Sequence, residues 1–200
     1  MAAVLELYPD VKFDIGPSTE DGFYYDFDFG TLKLTPDDLV KIEEKMAELA
    51  AKKLPITRFE RSRAEAVALL TEKKQNFKLE RLADIPEGDA ISFYQLGDFV
   101  DLCRGPHVDN TGDIGAFKLT SLAGSYYRGK ESNPMLTRIY GTAFADPKEL
   151  REYLRKIEEA KKRDHRKIGK ELDLFSVSVY CMTKFSQRMG NGFHIVAGDC

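Results

Sequence analysis

The stretch "GFYYDFDF", residues 22–29, constrains this chain more than any other. Side chains on a strand point alternately to opposite faces. Phe23, Tyr25, Phe27 and Phe29 therefore share one face, and Tyr24, Asp26 and Asp28 the other. One wholly aromatic face beside one polar face requires a sheet that buries a single side, which is the habit of antiparallel sheets. The segment "VKFDI" precedes it across the turn-rich "GPSTEDG", so a hairpin is expected. Further strands are predicted at "AISFYQL", "DFVDLC", "AFKLTSLAG" and "LTRIYGTAF".

Three helices are signalled by caps as well as by periodicity. In "TPDDLVKIEEKMAELAAKK", Thr35 stands at the cap, Pro36 at the first helical position and Asp38 at the capping-box position. Leu39, Ile42, Met46 and Leu49 then form one apolar stripe. "SRAEAVALLTEKK" repeats the device with Ser62 and Glu65, burying Ala66, Leu69 and Leu70. A third helix opens on Asp146, Pro147 and Glu149 and carries Leu150, Tyr153, Leu154 and Ile157. Beyond Ile157 its apolar stripe fades into "EEAKKRDHRKIGKEL", either a solvated connector or a surface facing phosphate. Strands outnumber helices and come in runs, so the expected class is α+β, a mostly antiparallel sheet with packed helices followed by a basic linker helix.

Composition narrows the function classes. The 200 residues are 42% hydrophobic and 32% charged, with net charge −3, as in an ordinary folded domain. That balance argues against nucleic-acid binding by bulk charge, although a local basic face is compatible with it. No window approaches the ~18 apolar residues of a membrane span, and the "MAAVLEL" start lacks the basic region of a signal peptide. The three cysteines, Cys103, Cys181 and Cys200, are odd in number and widely spaced, which does not fit a disulfide framework. A cytoplasmic protein with no membrane partner is expected.

"FVDLCRGPHV", residues 99–108, holds the chemistry. Alternation places Asp101 and Cys103 together while Val100 and Leu102 enter the core. Gly105-Pro106 argues against a helix here, so a strand ending in a tight turn is expected to swing His107 back towards Cys103. Arg104 at the same mouth is suited to a phosphate. Cys103 and His107 are an incomplete zinc set, since structural sites use four ligands and catalytic ones three plus water. His165, His194, Cys181 and Cys200 supply no matching spacing. A Cys nucleophile with a His base is chemically possible but has no third, orienting group. A buried Cys and a loop His with no role stand beside both readings.

The longer context resembles a known family. "DLCRGPHV", then "TGDIGAFKLTSLAGSYYRG" and "NPMLTRIYGTAF", is similar to the editing domain of threonyl-tRNA synthetase. "LYPDVKFDIGPSTEDGFYYDFDF" and "AKKRDHRKIGKELDLF" resemble flanking pieces of the same enzyme in the same order, so the resemblance covers about Leu5 to Phe175. It implies three segments: an editing domain over 1–143, a linker helix over 144–172, and a divergent or truncated start of a class II aminoacylation domain over 173–200.

The resemblance also implies a site. The family pairs Cys-x-x-x-His with a His-x-x-x-His on a helix just upstream of the "LYPD"-like segment. The histidines of this sequence are His107, His165 and His194, so a fragment truncated at its N-terminus, or a misplaced start, is expected. By family position, Cys103 and His107 shape the pocket and help place a water, Asp101 binds the substrate's ammonium, Lys78 assists the reaction and Tyr25 lines the pocket. From the sequence alone Lys78 reads as an exposed lysine after a helix, and Tyr25 as core. Arg104 is assigned here to the tRNA 3′ end. The implied activity is hydrolysis of the seryl ester on threonine tRNA, because a pocket separates threonine from serine by only ~1–3 kcal/mol. The alternatives are a catalytically incomplete tRNA-binding fragment and a free-standing editing factor. No cofactor is expected for this segment. Zinc at Cys103 and His107 is an open possibility, and ATP and Mg²⁺ belong to the full-length parent, expected to be a homodimer through its catalytic domain.

Overall fold

The computed structural model describes residues 1–20 and 22–163. The order is α1 (Ala2–Leu7), β1 (Lys12–Phe13), β2 (Ser18–Thr19), β3 (Gly22–Asp28), α2 (Pro36–Ala51), β4 (Ile56–Arg61), α3 (Arg63–Glu72), α4 (Asn76–Ala83), β5 (Ile91–Leu96), β6 (Phe99–Leu102), β7 (Ala116–Tyr126), β8 (Met135–Phe144) and α5 (Pro147–Lys162). The class is α+β and every strand pairing is antiparallel.

The strands divide into two sheets rather than one. The larger runs β1-β3-β8-β7, with β2 also paired to β3; the smaller is β4-β5-β6. Two elements absent from the sequence reading account for the division. β4, "ITRFER", carries only two half-buried residues, Ile56 and Phe59, three positions apart, and its remaining positions are exposed. So weak an apolar signal is easily passed over, yet β4 pairs with β5 along its whole length. The short α4 has no side-chain cap and leads with Gln75.

Three cores hold the unit that runs from residue 1 to 150. The first joins the inner face of the larger sheet to α1 and α2 through Val4, Phe13, Phe27, Ile42 and Ile139, with Phe23, Tyr25 and Phe29 packed against it as the alternation requires. The second lies under the smaller sheet, where Ala66, Leu70 and Leu82 meet Ile91 and Phe93. The third is small: Phe77, Tyr127 and Leu136. The capping boxes predicted at Thr35 and Ser62 form. Asp38 accepts from the Thr35 N–H at 2.9 Å and Glu65 from the Ser62 N–H at 2.9 Å.

β6 stands between the first two cores. Val100 and Leu102 pack against the second core, while Phe99 packs against the first. Asp101 shares the face of Phe99. This one strand therefore carries a carboxylate to a junction of two hydrophobic regions. α5 buries Leu150 and then continues with half-buried Tyr153, Leu154 and Ile157.

Candidate functional site

Asp101 is 9% exposed, and two neighbours hold it. The Tyr25 hydroxyl donates to Oδ2 at 2.9 Å. The Lys78 ammonium lies 2.7 Å from Oδ1. That contact is short but off-line, and Oδ1 receives no well-aligned hydrogen bond. Lys78 also donates to the Tyr25 hydroxyl oxygen and to the Leu102 carbonyl, both at 3.3 Å. The sequence alone favours an exposed Lys78 beyond a helix; instead it sits inside α4 and is 3% exposed. Its position in the short α4, whose apolar residues Phe77 and Leu82 face the cores, turns the stem inward. The ammonium lies 5.3 Å from the Phe13 ring centre and 5.8 Å from that of Tyr25. Burial, and then the Asp101 charge, push the Tyr25 phenol well above its usual range.

Tyr25, Asp101 and His107 line one cavity of about 230 Å³ whose other walls are largely apolar, among them Met46, Phe99 and Phe117. Its volume lies below the roughly 300–1,000 Å³ of drug-sized ligand sites and suits a group of a few heavy atoms. His107 stacks on Tyr94, ring centres 4.0 Å apart and 14° from parallel. Tyr94 in turn is the cross-strand partner of Asp101. The α-amino group of Met1 reaches the same region; burial pushes its pKa down to about 6 and the Asp101 charge pulls it back up. Lys78 does not line the cavity but lies behind Asp101 and Tyr25.

Cys103 and Arg104 are placed elsewhere. They line a second cavity of about 550 Å³ with Arg81, Asp89 and Ser92. Cys103 is a free, half-buried thiol beyond the end of β6. Its N–H donates to the Ser92 carbonyl at 3.2 Å, and its carbonyl accepts from Ser92 Oγ at 2.7 Å. The turn that follows carries His107 to Tyr94, on the side of the first cavity. Among the described residues no three His, Cys, Asp or Glu side chains gather to hold a metal ion. His165, His194, Cys181 and Cys200 lie outside the described residues.

Residues 91–140, from β5 to the middle of β8, match the Threonyl and Alanyl tRNA synthetase second additional domain. The chain is 58% identical over 173 residues to a threonine–tRNA ligase of Hahella chejuensis, covering 86% of this chain and 27% of that protein. It is 54% identical over 176 residues to one from Clostridium tetani, and 55% over 175 residues to one from Clostridium botulinum strain Hall, covering 88% of this chain and 27% of the relative in each case. Most of this chain is homologous to threonyl-tRNA synthetase. The chain spans about a quarter of the length of the threonyl-tRNA synthetases it matches.

That matched segment contains β5, β6, the Cys103–His107 turn and Asp101, and so most of the candidate site. Tyr25 and Lys78 lie outside it and reach the site through folding. Tyr94 had no place in the sequence reading. Its only local signal is its position in "SFYQL", on the same face of β5 as Ser92.

Proposed function

We propose that this chain carries the editing module of a threonyl-tRNA synthetase, and that the small cavity receives the seryl group of mischarged threonine tRNA for hydrolysis. The observation that carries this reading is Asp101: a buried carboxylate with unfilled acceptor capacity, at the wall of a small and mostly apolar cavity. An α-ammonium of an aminoacyl ester is the natural partner of such a group. In this reading Asp101 fixes the amine, Tyr25 and His107 bound the seryl group, and a water placed near His107 attacks the ester carbonyl. Proton acceptance from that water and stabilisation of the developing oxyanion are the chemical needs of the step. Cys103 and Lys78 support the site, and Arg104, which is exposed, meets the phosphates of the tRNA 3′ end. Threonine attachment, with ATP and Mg²⁺, is assigned to the longer cytoplasmic, homodimeric protein, and no cofactor to this segment.

A second reading is a tRNA-binding segment without activity of its own. What favours it is that Cys103 and Arg104 open onto a different cavity from His107, so the residues expected at one centre are divided between two. The basic end of α5, with Lys161, Lys162 and Arg163, would then touch the acceptor arm, although Lys162 and Arg163 are partly occupied by Glu158 and Glu159.

Deacylation separates the two. Serine-charged and threonine-charged threonine tRNA are each incubated with this chain, and with a version extended upstream by the His-x-x-x-His helix that the resemblance implies. Selective clearance of the seryl ester by either protein supports editing. If neither protein clears it and tRNA binding persists, the second reading takes its place.

A further inference from the structure

An ammonium has three protons and no lone pair, so the acceptors around it limit what else it can do. Around Lys78 Nζ there are three: Asp101 Oδ1 at 2.7 Å, Tyr25 Oη at 3.3 Å and the Leu102 carbonyl at 3.3 Å. The ammonium donates to the Tyr25 and Leu102 oxygens, and Asp101 Oδ1 is its ion-pair partner, off the hydrogen-bond line. The group is 3% exposed, packed beside the rings of Phe13 and Tyr25, and absent from the cavity wall. Tyr25 has a single proton, which it gives to Asp101 Oδ2, so its oxygen is left to accept from Lys78. The three side chains close a triangle: Tyr25 donates to Asp101, Lys78 donates to Tyr25, and the third side is the ion pair between Lys78 and Asp101.

We infer that Lys78 and Tyr25 are positioning residues that hold the Asp101 carboxylate in place for an ammonium ligand, and that Lys78 is not the group that exchanges a proton with the substrate. The inference rests on the seryl-site reading above. For Lys78 to reach an ester or its attacking water, it would have to leave these three oxygens and enter a cavity that Asp101 and Tyr25 line and it does not. As an anchor it has nothing to move. The two roles also predict opposite signs on ligand binding. A lysine that merely neighbours Asp101 competes with an incoming ammonium for the same carboxylate, so removing it would tighten binding. A lysine that orients Asp101 would weaken binding when removed.

The test uses the full chain and two non-hydrolysable ligands, measured by calorimetry. One is the seryl amide of 3′-amino-3′-deoxyadenosine. The other is the same amide made with 3-hydroxypropanoic acid, which lacks the ammonium. The buffer is kept slightly alkaline, above the Met1 amine's pKa of about 6, so that this neighbour is mostly uncharged. The wild type is expected to prefer the ammonium ligand by about 10- to 100-fold, the range of a hydrogen-bonded charged pair. Lys78→Met and Tyr25→Phe should each remove at least about tenfold of that preference, leaving affinity for the neutral ligand within about twofold.

An unchanged or increased preference in Lys78→Met overturns the assignment and frees the lysine for proton transfer. Equal weakening of both ligands in both variants also overturns it, because the effect then does not pass through the ammonium contact. Should Lys78→Met fail to fold, Tyr25→Phe decides the matter alone, since it keeps the ion pair and removes only one corner of the triangle. Failure of the wild type to bind either ligand is a different result: it overturns the seryl-site reading itself.

Discussion

Tyr94 and His107 lie face to face, ring centres 4.0 Å apart and 14° from parallel, and this stack holds the exposed His107 ring at the cavity wall. Gly105 makes the approach possible. Its φ is +74°, and a methyl group there would run into the Tyr94 hydroxyl. Gly105→Ala should therefore cost about 1–3 kcal/mol in backbone strain and separate the two rings. The sequence holds three histidines, so proton NMR can follow His107 directly. Its ring protons should be shifted upfield in the wild type and return to ordinary positions in both Tyr94→Ala and Gly105→Ala.

Tyr25 should make the protein sensitive to alkali. Its phenol is raised well above the usual value of about 10, first by burial and then by Asp101. A raised pKa means the folded state keeps a proton that the unfolded chain gives up. The associated stability is thus fully present below pH ~10 and is lost as pH rises through the folded value. Ultraviolet titration of the phenols should show Tyr25 ionising only with unfolding. Comparison with Tyr25→Phe isolates it from Tyr8 and Tyr127, which burial also raises. Phenolate formation at Tyr25 without unfolding would contradict the prediction.

Thr111 ties the loop after β6 to the end of α2 and to the stretch that leads into β4. Its hydroxyl accepts from the Leu54 N–H at 2.9 Å and donates to the Leu49 carbonyl at 2.8 Å, and the residue is 2% exposed. Thr111→Val keeps the shape and removes both bonds, stranding a donor and an acceptor. A loss of about 1–3 kcal/mol is expected, read as a lower urea midpoint at unchanged slope.

On the outer face of the larger sheet, Asp26 and Arg138 form a two-bonded pair, 2.7 Å at each contact, with the guanidinium 3.8 Å from the centre of the Tyr24 ring. Asp26 is 5% exposed. A double-mutant cycle with Asp26→Asn and Arg138→Met should give a coupling of roughly 0.5–3 kcal/mol. Single replacement of Arg138 should be the worse of the two, because it leaves a buried carboxylate without its cation.

Local chemistry made much of this fold legible. The alternation in "GFYYDFDF" gave the correct inner face, and Thr35 and Ser62 marked true helix starts, because those signals depend on neighbours a few positions apart. Val100 and Leu102 entered the core as alternation required. β4 escaped notice because its few apolar side chains mean little until β5 lies beside them. From its sequence neighbours Lys78 reads as exposed for the same reason. No residue near it in sequence shows that Asp101 and Tyr25 wait at the end of its stem. The separation of Cys103 from His107 turns on the path of a tight loop and on a stacking partner in another strand, neither of which short-range spacing reveals.

The two-sided β6 has a consequence for how tightly the site's alignment is enforced. In the pairing of β5 with β6, Tyr94 stands opposite Asp101 and Gln95 opposite Val100. Side chains alternate, so a slip of one residue would turn every β6 side chain to the opposite face. Asp101 would then be driven into the core beneath the smaller sheet, and Leu102 would take its place beside Tyr25. Oil on one side and charge on the other thus penalise the same error. A misaligned site would betray itself as a misfolded protein, and a correctly folded smaller sheet carries its carboxylate already aimed.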